Sequence, residues 1–473
     1  MTALPAPPRL RQRAAAPTAP APGSRLRFID LCAGLGGFHA GLSALGHECV
    51  FASEINKELR EVYEANFPGM KGKVHGDIRE AKRLVPDHDV LCAGFPCQPF
   101  SKSGHQHGFK DPTDGTIFHE VLEIIDAKSP YYVFLENVGN FERHDGGNTW
   151  KVVKEALQER GYDVRGTEHA STGGHGLVSP HHLGYPQHRE RFFVVASRGK
   201  LPDEPFPPIQ RKRETAFDGY LVEDSDLTDD ERAETALTQQ QKDCINHWNK
   251  MLAKLPKDEA VLTPLWGDEF AARYPYELAK DQPFNIPAWA LEAYLGKRAK
   301  GLSKGEMLEL LPNYAREEAK FKDWKVEFIR TSRAWWQSHR GDAPEGWRQR
   351  LQSDHFPFSL RKLEFHCGKE RDLWNCVLQF RPSGLRAKRM GQIPALVAMT
   401  STQVPIIGPK RRFLTRREGL LLQGFLPTFQ VPKNRADAFA ALGNAVHVKV
   451  VEEIGRRFIG QVSLAATPVP TTH

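Results

Sequence analysis

Long apolar runs are missing from this 473-residue chain. No stretch approaches the ~20 consecutive apolar residues that span a bilayer, and the N-terminus lacks the charged-then-apolar order of a secretory signal. The expectation is therefore a protein with no membrane or secreted role. Cysteine is also sparse. The seven residues are an odd number, scattered, with no CxxC pair, which argues against a disulfide framework and against a structural zinc or other metal site. A reducing compartment follows, in which thiols stay free for chemistry. Acidic residues are absent from positions 1 to 25, an Ala- and Pro-rich stretch with several Arg. Such a composition cannot bury enough surface to fold and reads as a disordered tail, in preference to an organellar transit peptide.

What is present is a modest basic excess, a net charge of +7. That suits a polyanionic partner without establishing one. Arg211-Lys212-Arg213, Arg386 with Lys388-Arg389, and Lys410-Arg411-Arg412 all lie beyond residue 200. Together they suggest a phosphate-binding surface.

From Leu26 onward, short apolar runs alternate with helical lengths: Leu26 to Leu31, Glu48 to Ala52, Val90 to Ala93, Tyr131 to Leu135, Tyr162 to Arg165 and Phe192 to Ala196. This pattern predicts an α/β fold, a doubly wound and mostly parallel sheet covered by helices, with ligands at the carboxyl ends of the strands. The expected organisation is a tail (1–25), a catalytic and cofactor-binding domain (26–200), and a second, smaller recognition domain (201–430). The latter carries a helical, Trp-bearing insertion at about 235–340. A terminal helical segment (431–462) returns to the first domain, and 463–473 form a tail. The acidic run from Glu223 to Glu234 reads as linker or insertion, and Phe356 to Leu360 and Leu396 to Met399 read as β-like runs.

The first strand runs into Asp30-Leu31-Cys32-Ala33-Gly34-Leu35-Gly36-Gly37. A glycine-rich turn between strand and helix lets backbone amides approach a ligand and aims a helix N-terminus at it. Tight turns need glycine in any case, so the turn alone is weak evidence. Glu54 closes the second run, where an acid can accept from ribose hydroxyls. Asp77, in Gly76-Asp77-Ile78, can receive an exocyclic amine. Each acid alone is equally a helix cap, but three strand ends in register favour a nucleotide-like cofactor.

The apolar run Val90 to Ala93 delivers Gly94-Phe95-Pro96-Cys97-Gln98-Pro99 at the same edge. Cys92, inside the run, reads as structural. Cys97, held between two prolines beyond it, reads as a nucleophile once its thiol ionises. Glu136, in Leu135-Glu136-Asn137-Val138, is a carboxyl that burial would keep protonated near neutrality. In Gln187-His188-Arg189-Glu190-Arg191, alternate residues point one way and converge two cations on the same edge.

In this order the motifs resemble the DNA cytosine-5 methyltransferase family. The match comprises Asp30-Leu31 with Gly34-Leu35-Gly36-Gly37, Pro96-Cys97-Gln98, Glu136-Asn137-Val138, Gln187 with Arg189 and Arg191, Arg417-Glu418 with Gln423-Gly424-Phe425, and Gly443-Asn444-Ala445-Val446. It covers 27 to 198 and about 394 to 460. The resemblance implies a class I, Rossmann-like methyltransferase using S-adenosyl-L-methionine on a specific sequence in double-stranded DNA, with base flipping and a covalent Cys97–C6 adduct. It implies catalytic roles for Cys97, Glu136, Arg189 and Arg191. Cofactor contacts would come from Asp30, Cys32, Gly34, Leu35, Gly36, Gly37, Glu54, Ile55, Asp77, Ile78, Pro96, Asn444 and Val446. The Ser101 to Gly115 loop would close over the base. Cys32 departs from the Phe of many members, and Ala395-Leu396 from a frequent Thr-Leu. The long stretch between the motifs, with Trp335-Trp336, corresponds to the family's target-recognition region, and most of its aromatics are expected to be core. The resemblance further implies a bacterial, cytoplasmic, nucleoid-associated monomer of restriction-modification or solitary type, paired in function with a cognate endonuclease where one exists. Two other readings stay open, a tRNA cytosine-5 methyltransferase and a catalytically silent DNA-binding regulator.

Overall fold

The computed structural model describes residues 18–96, 117–209, 217–261, 263–317, 320–396 and 403–462. Cys97, the Ser101 to Gly115 loop, Arg211 to Arg213, most of the Leu396 to Met399 run and most of the two expected tails lie outside those residues. The chain divides into two units, one made of the N-terminal part to Thr215 with Arg416 onward, the other of Ala216–Thr415.

The first unit opens with β1 (Arg27–Leu31), α1 (Gly37–Ala44), β2 (Glu48–Ser53), α2 (Lys57–Asn66), β3 (Val74–His75), α3 (Ile78–Ala81), β4 (Val90–Gly94) and α4 (Ile117–Lys128). It continues through β5 (Tyr132–Val138), α5 (Asn148–Glu159), β6 (Asp163–Gly166), β7 (Gln187–His188) and β8 (Arg191–Ser197). Seven strands form one sheet in the order β3-β2-β1-β4-β5-β8-β6. Pairing is parallel from β3 through β5, whereas β8 runs antiparallel to both β5 and β6. Because side chains alternate across a strand, each strand feeds two cores. Ile29, Leu91, Val133 and Val194 pack with Ile125 of α4 and Val153 of α5. Phe28, Val90, Phe134 and Val195 pack on the opposite face with Leu42 of α1 and Tyr63 of α2. Burial on both faces is why these runs are continuously apolar. The strand order reverses between β1 and β4, so their carboxyl ends flank a crevice.

The second unit contains α6 (Asp229–Thr235), α7 (Gln239–Leu252), β9 (Leu265–Trp266), α8 (Ala288–Leu295), α9 (Lys304–Glu309), α10 (Asp323–His339) and α11 (Trp347–Leu351). The strands β10 (Lys362–His366), β11 (Val377–Arg381), β12 (Gly384–Lys388), β13 (Ile393–Pro394), β14 (Ile406–Ile407) and β15 (Arg412–Phe413) follow. Its main sheet has the order β15-β14-β11-β12-β10-β9. Reciprocal capping boxes start three helices: Thr228 with Glu231, Thr238 with Gln241 and Ser303 with Glu306. Each satisfies amides that the first helical turn leaves free. The helical stretch builds its own core from Trp266, Leu291, Met307, Tyr314 and Ile329.

Two expectations are corrected here and one is met. Phe356 to Leu360 is not a strand. Pro357 leads into a 3-10 turn at Phe358–Arg361 and pairing starts only at Lys362, because proline has no N–H for a ladder and fixes its own φ. Trp335 and Trp336 meet the expectation that most aromatics of this stretch are core: both are buried and ringed against Phe270. Lys410 and Arg412 do not form an open cationic surface: they pair with Glu223 and Asp224 at 2.7 and 3.1 Å, and Arg411 lies over the Trp374 ring. The acidic run thus neutralises that basic cluster inside the same unit.

The chain returns to the first unit through α12 (Arg416–Leu422), α13 (Arg435–Asn444) and α14 (Val448–Phe458). Val450, Val451, Ile454 and Phe458 of α14 complete the core on the α1 face.

Candidate active site

At the end of β1 the backbone turns through Cys32, Gly34 and Gly36, all at positive φ (54°, 54° and 82°). The glycines of this turn divide by what surrounds them. A Cβ on Gly34 would meet nothing within 4 Å, whereas one on Gly36 would strike the rings of Phe67 and Tyr63 at 2.5 and 2.8 Å. A Cβ on Gly37 would lie 2.2 Å from the Val446 carbonyl oxygen. Gly34 therefore leaves open space, while Gly36 and Gly37 permit close internal packing. Leu35 is a buried core residue.

Glu54 organises this space. Its carboxylate accepts from the Gly34 amide and from the Asn56 amide, each at 2.9 Å. Ile55 beside it is 69% exposed, an apolar side chain in solvent next to a carboxylate. Asp77 caps α3 by accepting from the Arg79 amide at 2.9 Å and pairs with the Arg79 guanidinium at 3.0 Å. Ile78 is buried in the core. Beneath the turn, Asp30 is buried and accepts from the Tyr63 hydroxyl at 3.2 Å, and Tyr63 in turn bonds His39 Nδ1 at 2.9 Å. Burial pushes the Asp30 carboxyl up to about 8, against the smaller opposing effect of Tyr63, and pushes His39 down to about 3. Burial likewise raises the Cys32 thiol to about 12. Tyr63 and His39 carried no signal of this kind in sequence. Only folding brings them beneath β1.

On the other side of the switch point, β4 and β5 pair so that Gly94 stands opposite Glu136. A Cβ on Gly94 would come 3.9 Å from Glu136 Oε2 and 3.5 Å from Val446, so the missing side chain keeps the carboxyl clear. Arg191 Nε lies 3.1 Å from Glu136 Oε1. Burial raises the Glu136 carboxyl above the usual carboxylate range, with Arg191 and Arg189 opposing it. Arg189 is itself buried. Its amide donates to Ser179 Oγ at 2.9 Å and its Nη2 to the Ala445 carbonyl at 2.8 Å. Its Nε and Nη1 are buried without a partner among the described residues, as are both amide atoms of Gln187. Desolvation, helped by Arg191, lowers Arg189 to about 9. A buried cation with donor nitrogens left unsatisfied is costly, and suits a site that receives negative charge.

Two positioning residues were missed in sequence. Asn137 Nδ2 donates to the Phe95 carbonyl at 2.9 Å and so fixes the backbone two residues before Cys97. Ser179, which caps the short helical turn Pro180–Leu183, holds the Arg189 amide. The Ser-Pro pair was the available signal.

The late motifs brace both sides. Ala445 receives Arg189, and Val446 packs against Gly37 and Gly94. Gln423 donates from its side chain to Leu442 O at 2.5 Å and accepts the Val448 amide at 3.0 Å. His447, pushed down to about 3 by burial, bonds Leu422 O at 3.1 Å. Asn444 is exposed at the end of α13 and Pro96 at the end of the β4 exit. The structure thus gathers Glu136, Arg189 and Arg191 at one strand edge, and Gly34, Glu54 and Ile55 at another edge of the same crevice.

With this geometry in hand, comparison with known proteins is informative. A family model described as C-5 cytosine-specific DNA methylase matches residues 26–460. Type II methyltransferase M.AluI of Cellulosimicrobium cellulans is 31% identical over 494 residues, covering 92% of each chain. Type II methyltransferase M.HhaI of Haemophilus parahaemolyticus is 43% identical over 204 residues, which span 43% of this chain and 58% of that relative. Among solved structures, a DNMT2 variant of Spodoptera frugiperda aligns over 92% of this chain and 100% of its own, with 17% identity and a TM-score of 0.43.

Proposed function

The chain belongs to the C-5 cytosine-specific DNA methylase family and is a DNA cytosine-5 methyltransferase, and from that premise we propose how its residues divide the reaction. Cytosine C5 is a poor nucleophile. The Cys97 thiolate attacks C6 and forms a C–S bond, while Glu136 donates a proton to N3, so that the electron pair displaced from the C5–C6 bond is held as an enamine. Arg191 orients the Glu136 carboxyl, and the buried Arg189 offsets negative charge that develops on base and thiol. After methyl transfer, the C5 proton passes to water, the C6–S bond breaks with its electron pair returning to the thiolate, and N3 gives its proton back to Glu136, which releases 5-methylcytosine and restores the carboxyl. The target base must leave the duplex stack to reach these groups.

The donor we assign is S-adenosyl-L-methionine, which supplies an electrophilic methyl on a sulfonium when bound. The residues fit an adenosyl group: the empty space at Gly34, the carboxylate of Glu54 and the exposed Ile55 form a small apolar and acidic cradle. Gly34, Glu54, Ile55, Asp77 and Asn444 would hold it. Gly36, Gly37, Leu35 and Ile78 act by packing, and Asp30 and Cys32 by shaping the turn.

The observation that carries this reading is the register of Gly94 with Glu136, which sets the end of β4, three residues before Cys97 in sequence, against a buried carboxyl already paired with Arg191. Sequencing for 5-methylcytosine in DNA from cells expressing the protein tests it and yields the target sequence. Cys97→Ala should abolish methylation while duplex binding persists, and retained methylation by that variant would remove Cys97 from the mechanism.

A further inference from the structure

A pocket of about 460 Å³ lies wholly within the second unit, in residues 264–383, and no step above uses it. Its walls combine two chemistries. One is aromatic: Trp266 and Tyr314 stand 4.4 Å apart, and Trp324 sits edge-on to Trp266 at 6.4 Å. The indole of Trp324 is 51% exposed, a large apolar plane that the fold leaves in solvent although its neighbours are core. The other chemistry is cationic. Lys320, Lys322, Lys325 and Lys362 line the same space. Lys362 Nζ is 4.8 Å from the Trp266 ring centroid and 5.0 Å from that of Tyr314.

The two carboxylates on the wall do not cancel this charge. Glu317 is occupied by Lys325 at 2.8 Å, and Glu364 by Arg386 and Arg381 at 2.6 and 3.7 Å. Lys320, Lys322 and Lys362 have no ion pair among the described residues. Burial depresses the Lys362 ammonium, with Lys325 adding to it and Asp268, Glu269 and Glu364 opposing it without reversing it. A ligand matching both features carries a planar aromatic group and a phosphate. Its volume falls in the range of small-molecule sites, ~300–1,000 Å³.

We propose that this pocket binds one unpaired nucleotide, with the base against Trp324 and the phosphate held by Lys320, Lys322 and Lys362. It is a second nucleotide site, independent of the Cys97 chemistry. Stacking on aromatic rings tolerates any base, and lysines bind phosphate as point charges, so the site is expected to be indifferent to base identity. The nucleotide can come from a DNA strand or be a free mononucleotide.

The test uses the full chain and a 5′-phosphorylated single-stranded hexanucleotide bearing 5-iododeoxyuridine, which crosslinks to stacked aromatic side chains on irradiation. The crosslink should map to Trp324, Tyr314 or Trp266. Replacing Lys320→Glu and Lys322→Glu together should shift the crosslink titration by about tenfold or more, since loss of such contacts costs that much in affinity. Deoxycytidine 5′-monophosphate competing where deoxycytidine does not identifies a free nucleotide as sufficient. Competition only by the oligonucleotide identifies a strand. A crosslink that maps outside residues 264–383, or a titration unchanged in the lysine variant, overturns the proposal. Both lysines are exposed, so retained near-UV circular dichroism shows the variant is folded. Trp324→Phe, which keeps a ring, should bind within a few-fold of the native protein, whereas Trp324→Ala should lose about tenfold.

Discussion

At Glu136 two influences oppose each other: burial disfavours the charged carboxylate, and Arg191 and Arg189 favour it. Burial wins, and the carboxyl stays protonated to higher pH than an exposed one. If it donates its proton to N3, single-turnover methylation falls as pH rises through that raised pKa. Glu136→Gln should cost roughly 100-fold or more in kcat, the usual worth of a positioned acid, and should lose this alkaline limb while donor affinity is kept. A pH profile of both proteins decides it. Asp30 makes a separate prediction. Its folded pKa, about 8, lies above its ordinary 3.8, so the native state holds the extra proton between those values. Stability from this group is fully present below about pH 4 and is lost as pH rises toward 8. Thermal melts from pH 5 to 8.5 should show the native protein losing more Tm than Asp30→Asn, and parallel curves would show that Asp30 does not titrate in the fold.

Elements meet most tightly where α1 and α14 cross the glycine turn. A Cβ on Gly37 would strike the Val446 carbonyl, and one on Gly41 would lie 2.6 Å from the Val451 side chain, so an added methyl must displace backbone in one case and a packed residue in the other. Gly37→Ala should therefore destabilise by several kcal/mol, of order ~3 or more, as overpacking at a rigid contact does. Gly34→Ala meets no atoms but demands positive φ from a residue with a Cβ, at ~1–2 kcal/mol. Its larger effect should fall on donor affinity, because its space is the cradle. Denaturation and S-adenosylmethionine titration of both variants separate the two roles, and equal losses of stability would show that Gly34 packs like Gly37. Both glycines looked alike in sequence, where only the strand-to-helix spacing was visible. The partner that distinguishes them is Val446, some 400 residues later. The strand pattern was legible because doubly covered strands are apolar throughout. At Phe356 to Leu360 the same apolar criterion failed, since composition cannot show that a proline has taken the chain out of the ladder.

For the whole molecule, the first unit is assembled from two distant segments. α14 supplies Val450, Ile454 and Phe458 to a core shared with Phe134 and Leu42, so a chain ending before Arg435 should leave that face of the sheet open where α14 covers it. Such a truncation should give no cooperative melt and should bind a hydrophobic dye. The second unit carries its own aromatic core, and residues 217–415 alone should retain near-UV circular dichroism and unfold cooperatively. Among the described residues no helix is long and apolar enough to cross a membrane.

Much of the chemistry could be read before folding was considered. The order of motifs, the apolar strands and the residues closing each strand are local, and local patterns carry backbone preference and burial directly. Glu136, Arg189, Arg191, Gly34 and Glu54 were all named on that basis. What only tertiary structure decided is which charges are spent on each other and which are held in reserve. Lys410 and Arg412 meet acids nearly 190 residues away, whereas Arg189 is buried with two nitrogens unpartnered among the described residues. The reason is physical: an ion pair or an orphaned donor is a property of distance in space, and a sequence records distance only along the chain.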